Sequence, residues 1–241
     1  MRLPFVVACF STVVLRTGLG QHPQSSPAHL LVPGDVQTPT SPQLGLGQWF
    51  GLYHNPPDGY ELRATTVRIQ DTQHAYGGQG HLIATSDSSR PLFLVSGVQS
   101  LRQGPVASVF QGSKFVYPAE AVPLKLGEDG WYRLSAFGTA IWRPSEVWVS
   151  NYELVLQRAR ARQVLAVFPR IDWDGPPHLL WAGDLDGDQQ LDLVLDLRRS
   201  YVGHSYVLFL SGFAAHDSLV GRAAEFVTAG CSSTGSGLTR A

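Results

Sequence analysis

Asp184, Asp186, Asp188 and Asp192 stand within the nonapeptide DLDGDQQLD, in a chain of 241 residues that is only 15% charged. Such a concentration of carboxylates suits a hard divalent cation. Calcium takes about six to eight oxygen ligands at about 2.3–2.6 Å. Counted from Asp184, positions 1, 3, 5 and 9 offer side-chain oxygens and position 7, Gln190, offers a backbone carbonyl. Gly187 eases the tight curl between Asp186 and Asp188. Without a cation the acids repel one another, so the loop is expected to be disordered or partly protonated. The alternative is a solvated acidic turn that binds nothing.

The flanks decide what kind of loop this is. An EF-hand places Glu at position 12 and a helix on either side. Position 12 here is Leu195. Leu191, Leu193, Leu195 and Leu197 alternate with Asp192, Val194 and Asp196, which is the period of a strand with one apolar face. HLLWAG before the loop is equally strand-like, so the ion would sit on a turn between two strands, closed by Asp192. GDLDGDQQLDLVL resembles the calcium loops of FG-GAP and integrin-α-type repeats, whose pattern is D-x-D-x-D-G-x-x-D followed by an apolar strand. The layout is also similar to exported bacterial proteins that carry one such segment near the C-terminus. The resemblance implies calcium as cofactor, with Asp184, Asp186, Asp188 and Asp192 as ligands. It covers about 15 residues of the chain. Two departures limit it. The family usually has glycine at position 6, where left-handed backbone is wanted, and this chain has Gln189. A side chain there costs about 1–2 kcal/mol, or about tenfold in affinity. The propellers also carry several copies of the loop and this chain carries one, so the propeller fold is not carried over.

Other chemistry is sparse. Asp172 or Asp174 of DWDG could join the same ion, although a plain Asp-Gly turn before Pro176 explains the segment as well. The eight histidines form neither HxH nor HExxH, which argues against zinc. His178 and His204 could meet across adjacent strands, although loops and strand faces hold most histidines. No GxSxG, SxxK or P-loop occurs. The two cysteines, Cys9 and Cys231, form no CxxC zinc motif. The six tryptophans are expected mostly in the core, with an exposed subset able to stack on sugar rings.

The elements that must position the loop read as strands. Short apolar runs recur about every 10–15 residues between turn signals such as PPDG (56–59) and Asp129-Gly130. YELRATTVRI alternates as one strand, AYGGQG (75–80) is a loop, and RARARQVLAVF is assigned to a strand rather than a helix. The expected fold is all-β, a sandwich or open barrel of short antiparallel strands with little helix. Hydrophobic residues make up 44% of the chain, enough for a real core.

The first twenty residues carry Arg2, an apolar run from Leu3 to Leu15, and Gly18 and Gly20. This pattern predicts a secretory signal at 1–20 and an exported protein, periplasmic or secreted. Thirteen residues span about 20 Å of a ~30 Å hydrocarbon core, so no transmembrane segment is expected in the mature chain. Only eight residues precede Cys9, too few for lipid anchoring there. Residues 21–43, rich in Pro, Ser and Gln, read as a flexible linker in which HLLVP could add one edge strand. A single domain is expected over 44–231, and a frayed tail over 232–241. The formal net charge of −1 offers no basic surface for nucleic acid. The expected function is a binding or structural module with one structural calcium site, its ligand a glycan or a protein. A calcium-supported hydrolase and a carbohydrate-binding module are the alternatives.

Overall fold

AVPLKL shows how directly the alternation of side chains becomes architecture: Val122, Leu124 and Leu126 are buried while Pro123 and Lys125 are exposed. The same logic runs through the computed structural model, which describes residues 27–36, 44, 47–57, 59–73, 79–87, 89–110, 112–128, 130–198 and 203–228. Among them the strands are β1 His29–Leu31, β2 Gly34–Val36, β3 Trp49–Asn55, β4 Gly59–Thr65, β5 Val67–Gln73, β6 Gln79–Thr85, β7 Phe93–Ser96 and β8 Gly104–Phe110. They continue with β9 Lys114–Phe115, β10 Ala121–Leu126, β11 Gly130–Arg143, β12 Glu146–Arg158, β13 Ala161–Asp172, β14 His178–Asp184, β15 Asp192–Asp196, β16 His204–Leu210 and β17 Gly221–Thr228. One 3₁₀ turn, Ser211–Phe213, follows β16.

The large sheet runs β1-β7-β3-β4-β8-β14-β15-β16-β17, with β9 beside β14. Its two end strands, β1 and β17, lie next to each other, so the sheet nearly closes into a barrel. The meander β10-β11-β12-β13 forms a second sheet and β2-β6-β5 a third. All the strand pairs are antiparallel, as expected for an all-β sandwich or open barrel.

Two cores result. Leu52, Leu62, Phe93, Val95, Trp181, Val194, Leu208 and Phe226 fill the barrel, and Val67 and Ile83 of the third sheet pack on the same cluster. Leu179, Leu193, Leu195, Val207 and Phe209 point out of the barrel and meet Leu124, Leu134, Tyr152, Leu154 and Ile171 of the meander. The strands β14 to β16 are therefore a wall shared by both cores.

Four expectations need correction or extension. β15 has the apolar face expected of it, but its other face is covered as well: all five of its residues are buried. Its leucines serve the outer core, and Asp192, Val194 and Asp196 lie on the barrel side. YELRATTVRI is not one strand but breaks at Thr66 into β4 of the barrel and β5 of the third sheet. The AYGGQG loop is shorter than expected, because Gln79 and Gly80 already belong to β6. The flexible-linker reading does not extend over residues 29–36, where HLLVP adds the edge strand β1 against β7 and β2 pairs with β6. There Leu30 and Leu31 bury enough apolar surface to offset the ordering entropy that the polar composition argued from. The signal at 1–20, the tail at 232–241, Cys9 and Cys231 lie outside the described residues. Among the described residues no helix is long and apolar enough to cross a membrane.

Candidate metal centre

The acidic loop joins β14 to β15 across a hairpin whose register pairs Gly183 with Asp192. Gly183 permits this placement. A Cβ on it would lie 2.3 Å from the Ala107 carbonyl oxygen and 2.6 Å from the Trp181 ring, so no larger residue lets β8 approach β14. The loop is pinned by its own apolar residues. Leu185 is buried in the barrel core and Leu191 in the outer core, one at either end of the turn.

Between those anchors the carboxylates curl inward. Oxygens of Asp184, Asp186 and Asp188 lie within 4.8 Å of one another. Asp184 organises the curl: its Oδ1 accepts from the backbone N–H of Gly187 at 2.8 Å and of Asp188 at 3.1 Å, and its Oδ2 from Gln189 at 3.0 Å. Asp188 Oδ1 accepts from the Gln190 N–H at 2.8 Å. Gln189 takes φ of +63°, the left-handed backbone that the sixth position was expected to need.

Asp192 has a different setting. It is fully buried, with Oδ2 accepting from the Leu185 N–H and Oδ1 from the Ser211 N–H, both at 2.8 Å. It stands outside the converging trio. Burial pushes its carboxyl up to about 7 against these two hydrogen bonds, and the charges of Asp186 and Asp188 push the same way. Asp186 is also raised, by burial first and then by the charges of Asp188 and Asp184. Its Oδ2 accepts from Ser100 Oγ at 3.0 Å, but its Oδ1 is buried with no hydrogen-bond partner.

Two contributors were invisible in the sequence. Ser211 Oγ lies 2.5 Å from Asp188 Oδ2 and 3.2 Å from Asp192 Oδ1, and its single hydrogen cannot serve both acids. Ser100 comes from the segment after β7. Each is a lone serine between apolar strands, and only the barrel topology brings it to the loop. Asp172 and Asp174 do not belong to the converging group, and the Gly175 N–H to Asp172 carbonyl bond of 3.1 Å forms a plain turn.

His178 and His204 are brought near each other but held apart by β15. His204 Nδ1 lies 2.7 Å from Asp196 Oδ2, and His178 stacks on Phe115 at 4.3 Å. Ser113 Oγ lies 2.5 Å from His178 Nε2, a distance that suggests a nucleophile and its base. The other ring nitrogen contradicts that role. Arg198 Nη2 sits 3.2 Å from Nδ1 and can only donate, so Nδ1 carries the lone pair and Nε2 the hydrogen. Nε2–H then donates to Ser113, and no lone pair faces the hydroxyl. Burial and the Arg198 charge keep the imidazole below its ordinary value and neutral.

Comparison of the chain with protein-family models, curated proteins and solved structures returned no match.

Proposed function

We propose that the Asp184–Asp192 loop binds one calcium ion, and that the protein is an exported binding or structural module in which this ion staples the β14–β15 turn to the segments at Ser100 and Ser211. One observation carries this reading. Three carboxylates converge within 4.8 Å, and Asp186 Oδ1 is buried there with no partner. A buried, unpaired carboxylate oxygen is costly. A cation satisfies it and offsets the mutual repulsion of the trio. Asp184, Asp186 and Asp188 are the proposed side-chain ligands, and the Gln190 carbonyl and Asp192 would supply the further oxygens that calcium takes. The FG-GAP-like spacing supports calcium over a smaller cation.

The role is structural. Leu185 and Leu191 tie the loop to both cores, so holding it shut stiffens the shared wall. Export would place the loop in a calcium-rich medium, where extracellular modules work with Kd of about 10⁻⁴–10⁻³ M.

The test is calorimetric titration of the chelator-stripped protein with calcium, together with its melting curve. At ten times a millimolar Kd, mass action stabilises the fold by about 1.4 kcal/mol. That corresponds to a Tm rise of about 3–6 °C for a chain of this size. The rise is expected to vanish in Asp188→Ala. An unchanged Tm in wild type, with no calorimetric heat, refutes the proposal.

A further inference from the structure

A cavity lies at the other end of the barrel. β14 begins at His178 and ends at the acidic loop; β16 begins at His204 and ends at Ser211. Leu180, Tyr206 and Phe93 all sit near the starts of their strands, away from the loop. There, with Val32, His54, Tyr60, Arg90 and Val194, they line a cavity of about 440 Å³. That size is within the range of small-molecule sites, about 300–1,000 Å³, and barrel mouths are a common place for them.

The cavity floor depends on a bulge. Pairing of β14 with β15 shifts between Leu179 and Trp181, leaving Leu180 as an extra residue. Leu180 and Trp181 therefore both pack on the barrel core, where strict alternation would have sent one of them outward.

The polar groups are few and oriented. Arg90 donates from Nη2 to the Pro33 carbonyl. It lies so close to Gly34, itself at φ of +133°, that a Cβ there would be 2.6 Å from Nη2. Arg90 is the one charged residue among the lining side chains, and among the described residues it has no carboxylate partner. The nearby buried acid, Asp196, is engaged by Arg198 at 3.1 Å and His204 at 2.7 Å. The Tyr60 and Tyr206 hydroxyls make no hydrogen bond within the described protein. Burial raises Tyr60 and pushes Tyr206 up to about 12, so both stay protonated donors. His54 stands 5.1 Å from the Tyr60 ring and completes an aromatic collar with Tyr206 and Phe93.

We infer that this cavity binds a small organic acid with an aromatic or similarly flat apolar body, the ring entering between Tyr60, Phe93, Leu180 and Tyr206 and the carboxylate meeting the Arg90 guanidinium. An apolar floor, a ring-lined collar and a cation with no carboxylate partner among the described side chains select for that combination. A neutral analogue gains the ring contacts and loses the charge-assisted hydrogen bonds.

The test is saturation-transfer NMR and calorimetry on the full chain, with phenylacetate and 2-phenylethanol as probes. Phenylacetate is expected to bind about tenfold more tightly than the alcohol, the usual value of a hydrogen bond to a charged group. Arg90→Gln should bring it down to the level of the alcohol, and Leu180→Trp, which fills the cavity, should abolish both. Tyr60→Phe, which keeps the ring, should weaken phenylacetate severalfold. No saturation transfer to phenylacetate in wild type overturns the inference, as does equal binding of acid and alcohol. Both outcomes are read on the unmodified protein and need no variant to fold.

Discussion

Asp192 permits a sharp test of the electrostatics beneath the acidic loop. In the presence of chelator its buried carboxyl holds a proton up to about 7, whereas the ordinary value is 3.8. Between those limits the folded protein keeps a proton that the unfolded chain has released. Its contribution to stability is therefore fully present below pH 3.8 and is lost as pH rises through about 7. Each unit of that interval is worth about 1.4 kcal/mol. Raising the pH from 5 to 8 in chelator should then remove about 3 kcal/mol, or about 6–12 °C of Tm. Asp192→Asn cannot titrate. It loses one of the bonds to the Leu185 or Ser211 N–H groups, which lowers its stability by about 1–3 kcal/mol at every pH. The informative quantity is therefore the slope, measured by urea unfolding at several pH values for wild type and variant. The wild-type slope should be more negative by about 3 kcal/mol over that interval, and calcium should shrink the difference by displacing the proton. Equal slopes in chelator refute the argument, since a buried, titrating Asp192 has to separate them.

The other predictions concern the surrounding structure. His178 is held below its ordinary value, chiefly by burial, so its neutral form favours the fold and stability falls as pH drops below about 6.5; His178→Gln should flatten the acid limb of the same urea series. Gln189→Gly relieves about 1–2 kcal/mol at φ of +63° against an entropy cost of about 0.5–1 kcal/mol, and should raise Tm by a few degrees at most. Gln163 accepts from the Leu219 and Val220 N–H groups and donates to the Val220 carbonyl, fastening the segment before β17 to the meander. Gln163→Ala should cost about 2–3 kcal/mol in chemical denaturation.

Local pattern carried much of the architecture. The Asp129-Gly130 signal stood between β10 and β11, and the period in RARARQVLAVF favoured the strand that begins at Ala161. The acidic spacing put Asp184, Asp186 and Asp188 together. What the sequence hid was whatever depends on distant segments. The two leucines of β15 and the two that flank it announce one apolar face, but nothing in DLVLD says that its aspartates are covered by a barrel. Ser100 and Ser211 carry no spacing signal, because they meet the loop from two other connections. The Leu180 bulge is equally silent: a run of apolar residues reads the same whether or not one of them is unpaired. HLLVP offered β1 as an edge strand, whereas β2 was obscured by composition, since GDV in a Pro- and Ser-rich stretch carries no apolar pattern.

The pairing of β1 with β7 and its position beside β17 bear on where this unit begins. A protein trimmed to start at residue 44 would lose the strand that pairs with β7 and packs beside β17, leaving the β7 edge raw and a strip of leucine-lined interior uncovered. Exposed edges of that kind recruit other chains. The proper left-hand limit of the folding unit thus falls ahead of His29, and a few residues from the most disorder-like stretch of the chain act as its keystone.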